Sequence, residues 1–411
     1  MTRLRLTPVP AAHAAVTSLV LRPRSPTVAG AAVGSRPSMA PVAPRPSIPD
    51  LTGSVTSSGA IVAPEPPSLG VVAERVEARL VTLFDRERER WAAVDADLSA
   101  PVDTLAHLVL AGGKRLRPAF CHWGFVGAGG DPDDHRVVDA GAAFEMLQAF
   151  ALIHDDVMDG SATRRGTRTA HLSYADSHDR AHWLGEARRF GEGVAILIGN
   201  LAHVLADQLL REAAGRGLAV WDELRLELNM GQYLDMVGTA RRDTGAARAR
   251  LVARYKSGKY TVERPLHVGA ALADRFDELA APLSAYGDPL GEAFQLRDDL
   301  LDVFGDASLI GKPIGDDLRE GKPTPLLAAT VARCPPDRAE LLARVGLPDL
   351  STVEVEGIRR LMDDCGARAE VEAAIASLTG RAVDAIAAAP IGLETHDALV
   401  ELAYFVSSRH R

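Results

Sequence analysis

Two clusters of carboxylates could carry chemistry, because each repeats the spacing Asp-Asp-x-x-Asp. The six residues are Asp155, Asp156 and Asp159 in the first cluster, and Asp298, Asp299 and Asp302 in the second. In an α-helix, residues four positions apart lie on one face, so Asp155 and Asp159 point the same way, and so do Asp298 and Asp302. Each cluster therefore presents two carboxylates to one place.

Carboxylates that converge in this way need a positive partner. Apolar residues, Leu152-Ile153 and Phe294, precede the two clusters, which is unusual for a purely solvent-facing acidic run. Burying several like charges costs on the order of several kcal/mol unless a cation neutralises them, and oxygen-only ligands favour a hard cation. Magnesium is the usual choice, completed by water and phosphate oxygens. One such motif is more often a solvated helix face, but two copies favour a Mg²⁺ site.

Basic residues occur where such a site would hold phosphate. They are Lys114, Arg115 and Arg117 within Gly112 to Pro118, Arg164 and Arg165 after the first cluster, and Lys256, Lys259, Lys312 and Lys322 near glycine or proline. Guanidinium and ammonium groups bind phosphate oxygens directly and cooperate with metal ions. Each one alone is typical of a solvated charge. Together with the acid clusters they predict a diphosphate held between metals and cations, above an apolar cavity.

Helices must position these groups, because apolar residues recur at helical spacing along most of the chain. The predicted helical segments are Val71 to Leu98, His135 to Asp159, Val194 to Ala213, Asp222 to Val237, Leu290 to Val303 and Val353 to Ala388. Strand-like alternation is nearly absent. We therefore predict an all-α fold, a large single-domain helical bundle with the active site in a central cavity between facing helices.

Composition limits the partners of this domain. The 411 residues include 46 basic and 55 acidic residues, a net charge of -9, which gives no basic field for nucleic acid. Three cysteines without close pairing indicate free thiols and a reducing cytoplasm. Charged residues interrupt the apolar stretches before the roughly 20 residues that a spanning helix needs, so we expect a cytoplasmic protein without a transmembrane segment.

The first 70 residues differ from the rest in composition. Met1 to about Gly70 is rich in Pro, Ala, Ser and Val, with scattered Arg and no amphipathic period, which predicts a disordered tail before a catalytic domain over 71–411. Its arginine-rich, acid-poor start resembles a transit peptide only loosely. An idle tail or a mis-assigned start codon are the alternatives.

The ordered motifs resemble those of the trans-isoprenyl diphosphate synthases, or polyprenyl synthetases, from about Val71 to the C-terminus. Gly112 to Pro118 is similar to the family's GGKRLRP segment, which implies that Lys114 and Arg117 bind isopentenyl diphosphate. Gln148 stands where many members have a His for the same substrate. The RRG segment implies that Arg164 contacts the allylic diphosphate and Arg165 the isopentenyl diphosphate.

The resemblance also assigns the acid clusters and the residues between them. It implies that Asp155, Asp156, Asp159, Asp298, Asp299, Asp302 and Lys256 are catalytic, with Asp155, Asp159 and Asp298 as ligands of three Mg²⁺ ions. It further implies that Gln232, Ser257, Gln295, Lys312 and Lys322 contact substrate, with Asp235 near the reacting centre. Gly311-Lys312, Asp316-Asp317 and Lys322 match the family's flexible loop, which implies that Val303 to Pro323 form a closing loop over the site. Asn200 replaces a common Asp outside both clusters, and we expect little effect on the metals. A homodimer is also implied.

The reaction implied is condensation of an allylic diphosphate (dimethylallyl, geranyl or farnesyl) with isopentenyl diphosphate. Phe150, five residues before Asp155, would limit product length beside the small Ala151. Because the first cluster has no insertion, geranylgeranyl diphosphate is the expected product, with farnesyl diphosphate as the alternative. Phe150 could instead only fill the core.

Three other classes of protein share part of this pattern. A terpene cyclase would carry a different second metal motif, whereas Asp298 to Asp302 repeats the first. A head-to-head synthase would lack the segment Gly112 to Pro118. A catalytically silent subunit that regulates a partner prenyltransferase usually loses one acid cluster, and both are complete here.

Overall fold

The computed structural model describes residues 66–213, 217–306 and 314–409. Most of the predicted tail, together with Lys312 of the predicted closing loop, lies outside these ranges. The first described helix begins at Pro67, four residues before the predicted start of the catalytic domain. The limits 1–70 and 71–411 therefore stay predictions.

Helices account for nearly all of the described structure, as predicted. In chain order they are α1 (Pro67–Ala92), α2 (Ser99–Leu110), α3 (Leu116–Gly127), α4 (His135–Asp159), α5 (Ala170–Arg180), α6 (Ala187–Ala213), α7 (Gly217–Arg241), α8 (Ala246–Val252), α9 (Arg264–Leu272), α10 (Phe276–Phe304), α11 (Asp316–Glu320), α12 (Pro325–Arg333), α13 (Ala339–Leu342), α14 (Thr352–Asp364), α15 (Ala367–Ala387) and α16 (Leu393–Ser408). Short 3₁₀ helices span Ala96–Leu98 and Pro336–Arg338. The all-α prediction is confirmed.

Two irregular elements lie near the acid clusters. A π-helix, Ala253–Glu263, connects α8 to α9. In the described residues the only strands are β1 (Thr163–Arg164) and β2 (Thr167–Arg168), an antiparallel pair with Thr163 opposite Arg168. Long π-helical runs are rare and often occur at functional sites.

Helix boundaries follow local signals that the apolar period alone does not contain. The first predicted helix ends at Ala92 because Asp95 caps a separate 3₁₀ turn by accepting from the Asp97 amide. The last predicted helix is two helices, α14 and α15, because Gly366 adopts a left-handed φ of 75° between them. Helix α4 has the bounds that the sequence predicts.

The core forms around α4, which packs most extensively against α6. Phe144 and Leu147 of α4 are fully buried in the same cluster as Leu205 of α6 and Trp221 of α7. Burying one such side chain stabilises the fold by about 2 kcal/mol. A helix that is apolar on almost every side must be central, and α4 carries the first acid cluster at its C-terminal end.

Two of the described helices are long and apolar enough to cross a membrane by length and composition, whereas the interrupting charges predicted no apolar stretch of that length. They are α4 and α6, with 67% and 44% of their most apolar windows buried inside the protein. Extensive burial is typical of a core helix. Helix α6 also leaves apolar side chains at the surface.

Glycines let the π-helix approach its neighbours closely. A Cβ added at Gly231 of α7 would stand 2.3 Å from the Lys256 amide nitrogen, and Gly258 and Gly291 exclude side chains between the π-helix and α10. The π-helix is therefore wedged between α7 and α10. This contact fixes where Lys256, which it carries, can point.

Candidate active site

One cavity of about 370 Å³ brings the two acid clusters together. Twelve of the predicted site residues line it, namely Asp155, Asp298, Asp302, Lys256, Arg117, Gln148, Ala151, Arg164, Gln232, Ser257, Gln295 and Lys322. They come from α3, α4, the β-hairpin, α7, the π-helix, α10 and the segment after α11. As predicted, one cavity gathers these residues, which are spread over more than 200 positions of the sequence.

Other predicted site residues do not line this cavity. Asp156, Asp159, Asp299, Lys114, Arg165 and Phe150 are not among the lining side chains. The Phe150 ring packs against His154 and against His203 of α6, with ring centres 4.7 and 4.8 Å apart. Phe150 therefore does not touch the cavity directly. Asn200 is exposed on α6.

Asp155 is held by two side chains from other elements. Its Oδ1 accepts from Lys256 Nζ at 2.9 Å and from Gln232 Nε2 at 3.0 Å. Burial alone would raise the pKa of Asp155, but Lys256, Lys322 and Arg164 outweigh burial and hold that pKa well below its usual value. Asp155 therefore stays ionised.

Lys256 is shared between two carboxylates. Its Nζ also donates to Asp235 Oδ2 at 2.6 Å. Burial would lower the pKa of Lys256, yet Asp155 and Asp235 raise it above the usual value. The ammonium therefore remains charged beside the cavity. Lys259, another basic residue of the π-helix, instead donates to Glu263 and pairs with Glu227, away from the cavity.

Arg164 joins the hairpin to the first acid cluster. Its Nε donates to Asp156 Oδ1 at 2.9 Å, and its Nη2 lies 3.6 Å from Asp155 Oδ2. Burial raises the pKa of Asp156, and the charges of Asp155 and Asp159 raise it further. Arg164 lowers this pKa but does not outweigh them. The sequence RRG forms the turn of this hairpin, in which Arg165 itself has a positive φ of 52°.

Lys322 connects the segment after α11 to the first cluster. Its Nζ lies 2.8 Å from Asp159 Oδ2 and 2.7 Å from Glu320 Oε2. Burial would lower the pKa of Lys322, but Asp317, Asp159 and other carboxylates raise it well above the usual value. The described part of the predicted closing loop is thus already bound to the site.

The second acid cluster meets the C-terminus. Arg409 donates to Asp298 Oδ1, and its guanidinium stacks 4.1 Å from the Phe294 ring centre. Gln295 Nε2 donates to Asp299 Oδ1 at 2.8 Å. Asp302 Oδ2 accepts from the Asp317 amide at 3.1 Å, which connects the cluster to the N-terminus of α11.

The acid residues fit a hard divalent cation. Asp299 is 2% exposed, and its Oδ2 has no hydrogen-bond partner. Burial, with the charges of Asp317, Asp298 and Asp302 adding to it, raises the pKa of Asp299 well above its usual value, and a bound cation would stabilise the ionised form instead. Among the described residues no three acid, His or Cys side chains already form a compact metal centre, because lysines and arginines interleave the carboxylates.

Two arginines at or next to the cavity are not paired with carboxylates within ion-pair distance among the described residues. Arg117 has no carboxylate within ion-pair distance in the described part of the chain, and its buried Nε has no hydrogen-bond partner. Arg165 donates only to backbone carbonyls, including that of Leu108 at 2.9 Å. Burial and the neighbouring Arg115, Arg164 and Arg117 lower the pKa of Arg165. Cations without counter-charges are typical of an anion site.

Gln148 lines the cavity as Arg117 does. Its Oε1 accepts from the Tyr260 hydroxyl at 2.9 Å. Tyr260 and Arg409 were not predicted from the sequence. A tyrosine in a lysine-containing segment and an arginine two residues from the end of the sequence carry no motif. Only the fold brings Tyr260 to the cavity and Arg409 to Asp298.

The comparisons with known proteins agree with this geometry. Residues 100–360 match the family model for polyprenyl synthetase. The chain is 31% identical to geranylfarnesyl diphosphate synthase of Aeropyrum pernix over 293 residues, which are 69% of this chain and 86% of that protein. It is 30% identical to nonaprenyl diphosphate synthase of Mycobacterium tuberculosis over 333 residues, or 81% and 92% of the two chains.

Solved structures extend the similarity. Geranylgeranyl pyrophosphate synthase from Corynebacterium glutamicum, complexed with isoprenyl diphosphate and magnesium, is 37% identical, with a TM-score of 0.79 over 83% of this chain and 99% of that chain. Polyprenyl synthase from Caulobacter crescentus, complexed with calcium and isoprenyl diphosphate, is 29% identical with a TM-score of 0.71 over 84% and 98%. Each match covers nearly the whole of the solved chain and more than four fifths of this one.

Proposed function

The chain belongs to the polyprenyl synthetase family and is a prenyltransferase, and on that premise we propose that it makes geranylgeranyl diphosphate from isopentenyl diphosphate and shorter allylic diphosphates. Family members bind these two substrate classes and depend on Mg²⁺. The observation that carries the proposal is the arrangement of charge around one cavity. Residues of both acid clusters line this cavity together with Arg117, which has no carboxylate within ion-pair distance among the described residues.

The two acid clusters suit the allylic diphosphate. We assign Asp155, Asp159 and Asp298 as ligands of three Mg²⁺ ions, with Asp156, Asp299 and Asp302 supporting them. When bound, Mg²⁺ would neutralise the carboxylates and stabilise negative charge on the leaving diphosphate. Arg164, Lys256 and Lys322 already lie among these carboxylates and would donate to the same phosphate oxygens. Cations fixed in place before the reaction need little reorganisation.

Ionisation of the allylic carbon–oxygen bond would leave diphosphate and an allylic cation. Gln232 donates its amide N–H to Asp155, so its carbonyl oxygen is available to face that cation, with the Ser257 hydroxyl nearby on the cavity wall. The double bond of isopentenyl diphosphate attacks the cation and forms the new carbon–carbon bond. Loss of a proton to the released diphosphate then completes the longer product.

Arg117 and the polar residues near it suit isopentenyl diphosphate. We assign Lys114, Arg117, Gln148 and Arg165 to its diphosphate, and Gln295 to the shared region between the substrates. Lys312, which lies outside the described residues, is proposed as a further contact from the loop. Lys322 joins that loop to Asp159, and closure there would exclude water from the cation.

Product length would depend on how far the chain extends beside α4. Phe144, eleven residues before Asp155, lies about 16 Å along the helix and meets the Trp221 ring edge to face. From ordinary bond geometry an extended isoprenoid unit spans roughly 5 Å, so about three to four units fit above that pair. Toward α6 the space behind Ala151 is filled by Phe150. Both limits favour geranylgeranyl diphosphate over longer products, with farnesyl diphosphate as the alternative.

A homodimer is proposed from the surface of α6 and α7. The large apolar side chains exposed on these helices are Ile196, Leu197, Val204, Leu218, Leu226, Met230, Tyr233 and Met236. Arg225 of α7 donates to Asp207 of α6 at 2.8 Å, which keeps the two helices side by side. Exposed apolar side chains gathered on two neighbouring helices are typical of an interface, and a second copy of this chain could cover them by two-fold symmetry.

The cellular setting follows from chemistry and composition. Cys121 is buried and free, and Cys334 and Cys365 are also unpaired. We propose a cytoplasmic enzyme whose N-terminal tail takes no part in catalysis. Turnover assayed with the purified chain, labelled isopentenyl diphosphate, farnesyl diphosphate and Mg²⁺ tests the proposed function. Formation of a twenty-carbon diphosphate with release of inorganic diphosphate is expected, and an inactive but folded chain would favour a silent regulatory subunit.

A further inference from the structure

Tyr260 contacts two of the side chains that we assign to isopentenyl diphosphate. Its hydroxyl donates to Gln148 Oε1 at 2.9 Å, and the Arg117 guanidinium stacks 4.2 Å from its ring centre. The next residue, Thr261, accepts from Arg117 Nη2 at 2.8 Å. The π-helix therefore holds both Gln148 and Arg117 through adjacent residues.

These contacts leave specific donors for a ligand. Because Tyr260 occupies Oε1 of Gln148, the two N–H groups of that amide are the donors left for the cavity that Gln148 lines. Arg117 Nε is buried without a partner. An amide and a guanidinium fixed in this way present donors alone, which is what a phosphate requires.

Tyr260 is well suited to enforce that arrangement. It is 3% exposed, and Thr261 is fully buried. Burial raises the pKa of Tyr260 far above its usual value, so its hydroxyl keeps its proton and remains a donor. A phenolic hydroxyl donates more readily than it accepts, so Tyr260 favours the amide orientation that turns Oε1 of Gln148 toward it.

We infer that Tyr260 is a positioning residue for isopentenyl diphosphate, which it serves by fixing the amide of Gln148 and the guanidinium plane of Arg117 toward the cavity. The inference rests on the proposed function. It also gives a reason why glutamine can stand where many relatives carry histidine. A glutamine side chain has more rotatable bonds and two amide orientations, so it gains more from an external hydroxyl that selects one of them.

The test removes the hydroxyl and keeps the ring. Tyr260→Phe, Gln148→Leu and the double variant are compared with wild type by titration calorimetry with isopentenyl diphosphate and Mg²⁺, and by steady-state kinetics. Tyr286→Phe is the matched control, because Tyr286 is a fully buried tyrosine whose hydroxyl donates to the Leu399 carbonyl, outside the cavity. Thermal unfolding checks that each variant is folded.

Tyr260→Phe is expected to raise Kd and KM for isopentenyl diphosphate about five- to tenfold, the effect of one hydrogen bond. The KM for the allylic diphosphate and kcat should change less than about twofold, and the control should match wild type. Since Tyr260 acts through Gln148, the double variant should bind isopentenyl diphosphate no more weakly than Gln148→Leu does. Thr261→Val should weaken binding through Arg117 in the same way and serves if Tyr260→Phe does not fold.

Two results would overturn the inference while the proposed function stands. One is an unchanged Kd for isopentenyl diphosphate in Tyr260→Phe. The other is a double variant in which the two losses multiply, because Tyr260 would then act independently of Gln148. A wild-type chain that neither binds nor consumes isopentenyl diphosphate would remove the proposed function, and with it this inference.

Discussion

Lys256 and Asp155 are separated by 101 positions in the sequence, yet Lys256 Nζ donates to Asp155 Oδ1 at 2.9 Å. The same ammonium donates to Asp235 at 2.6 Å. A π-helix, a neighbouring α-helix and the first acid cluster are thus joined at one charge. Two carboxylates therefore share one lysine beside the cavity.

Replacing Lys256 by glutamine should lower kcat about 100-fold or more, because a cation aimed at the leaving diphosphate is lost. It should also lower the free energy of unfolding by about 3 kcal/mol, since Asp155 and Asp235 lose their shared partner. Steady-state kinetics and urea unfolding measure the two effects. Lys259→Gln is the matched control, because it breaks a buried pair on the same π-helix away from the cavity. Equal kcat losses in both variants would contradict a direct role for Lys256.

Removing the Phe150 ring should lengthen the product. Phe150→Ala would open space behind Ala151, between α4 and α6, into which the growing chain could extend. Chromatography of the dephosphorylated products is the measurement. Phe190→Ala removes a ring that packs against His178, away from the cavity, and should leave the product unchanged. An unchanged length in Phe150→Ala would show that Phe150 only fills the core.

Oligomeric state can be tested on the α6 and α7 surface. Leu197 is 68% exposed, and Leu197→Asp should convert a dimer to a monomer in light scattering coupled to size exclusion, because a charge would be buried at the interface. Val353→Asp places the same charge on α14 at a valine that is 81% exposed and should leave the dimer intact. A monomeric wild-type chain would contradict the interface.

Stability should fall in mild acid because two histidines are buried uncharged. Burial lowers the pKa of His267 and of His122 to about 4. The unfolded chain binds these protons below about pH 6.5, whereas the folded chain does not until about pH 4, so stability is lost as pH falls between those values. The loss between pH 6.5 and 5 is about 2 kcal/mol for each histidine. Urea unfolding of wild type and His267→Gln at both pH values should show a smaller loss in the variant, and equal losses would contradict this.

Much of the site could be predicted because its chemistry is local. The spacing of Asp155 and Asp159 within one helix places both carboxylates on one side regardless of the rest of the fold. The position of Phe150 was harder, because the direction of a side chain around α4 depends on which helix packs there, and α6 takes that side. Tyr260 and Arg409 were missed because their partners, Gln148 and Asp298, lie more than 100 positions away.

The central claim is that both acid clusters act together on one diphosphate. Asp155→Ala and Asp298→Ala, each assayed as purified folded protein with farnesyl diphosphate, labelled isopentenyl diphosphate and Mg²⁺, test it most directly. Each substitution should lower kcat by about 1,000-fold or more, because each removes a carboxylate whose metal contact strengthens in the transition state. Circular dichroism should show the helical content unchanged. A variant of either residue that keeps wild-type turnover would contradict the account.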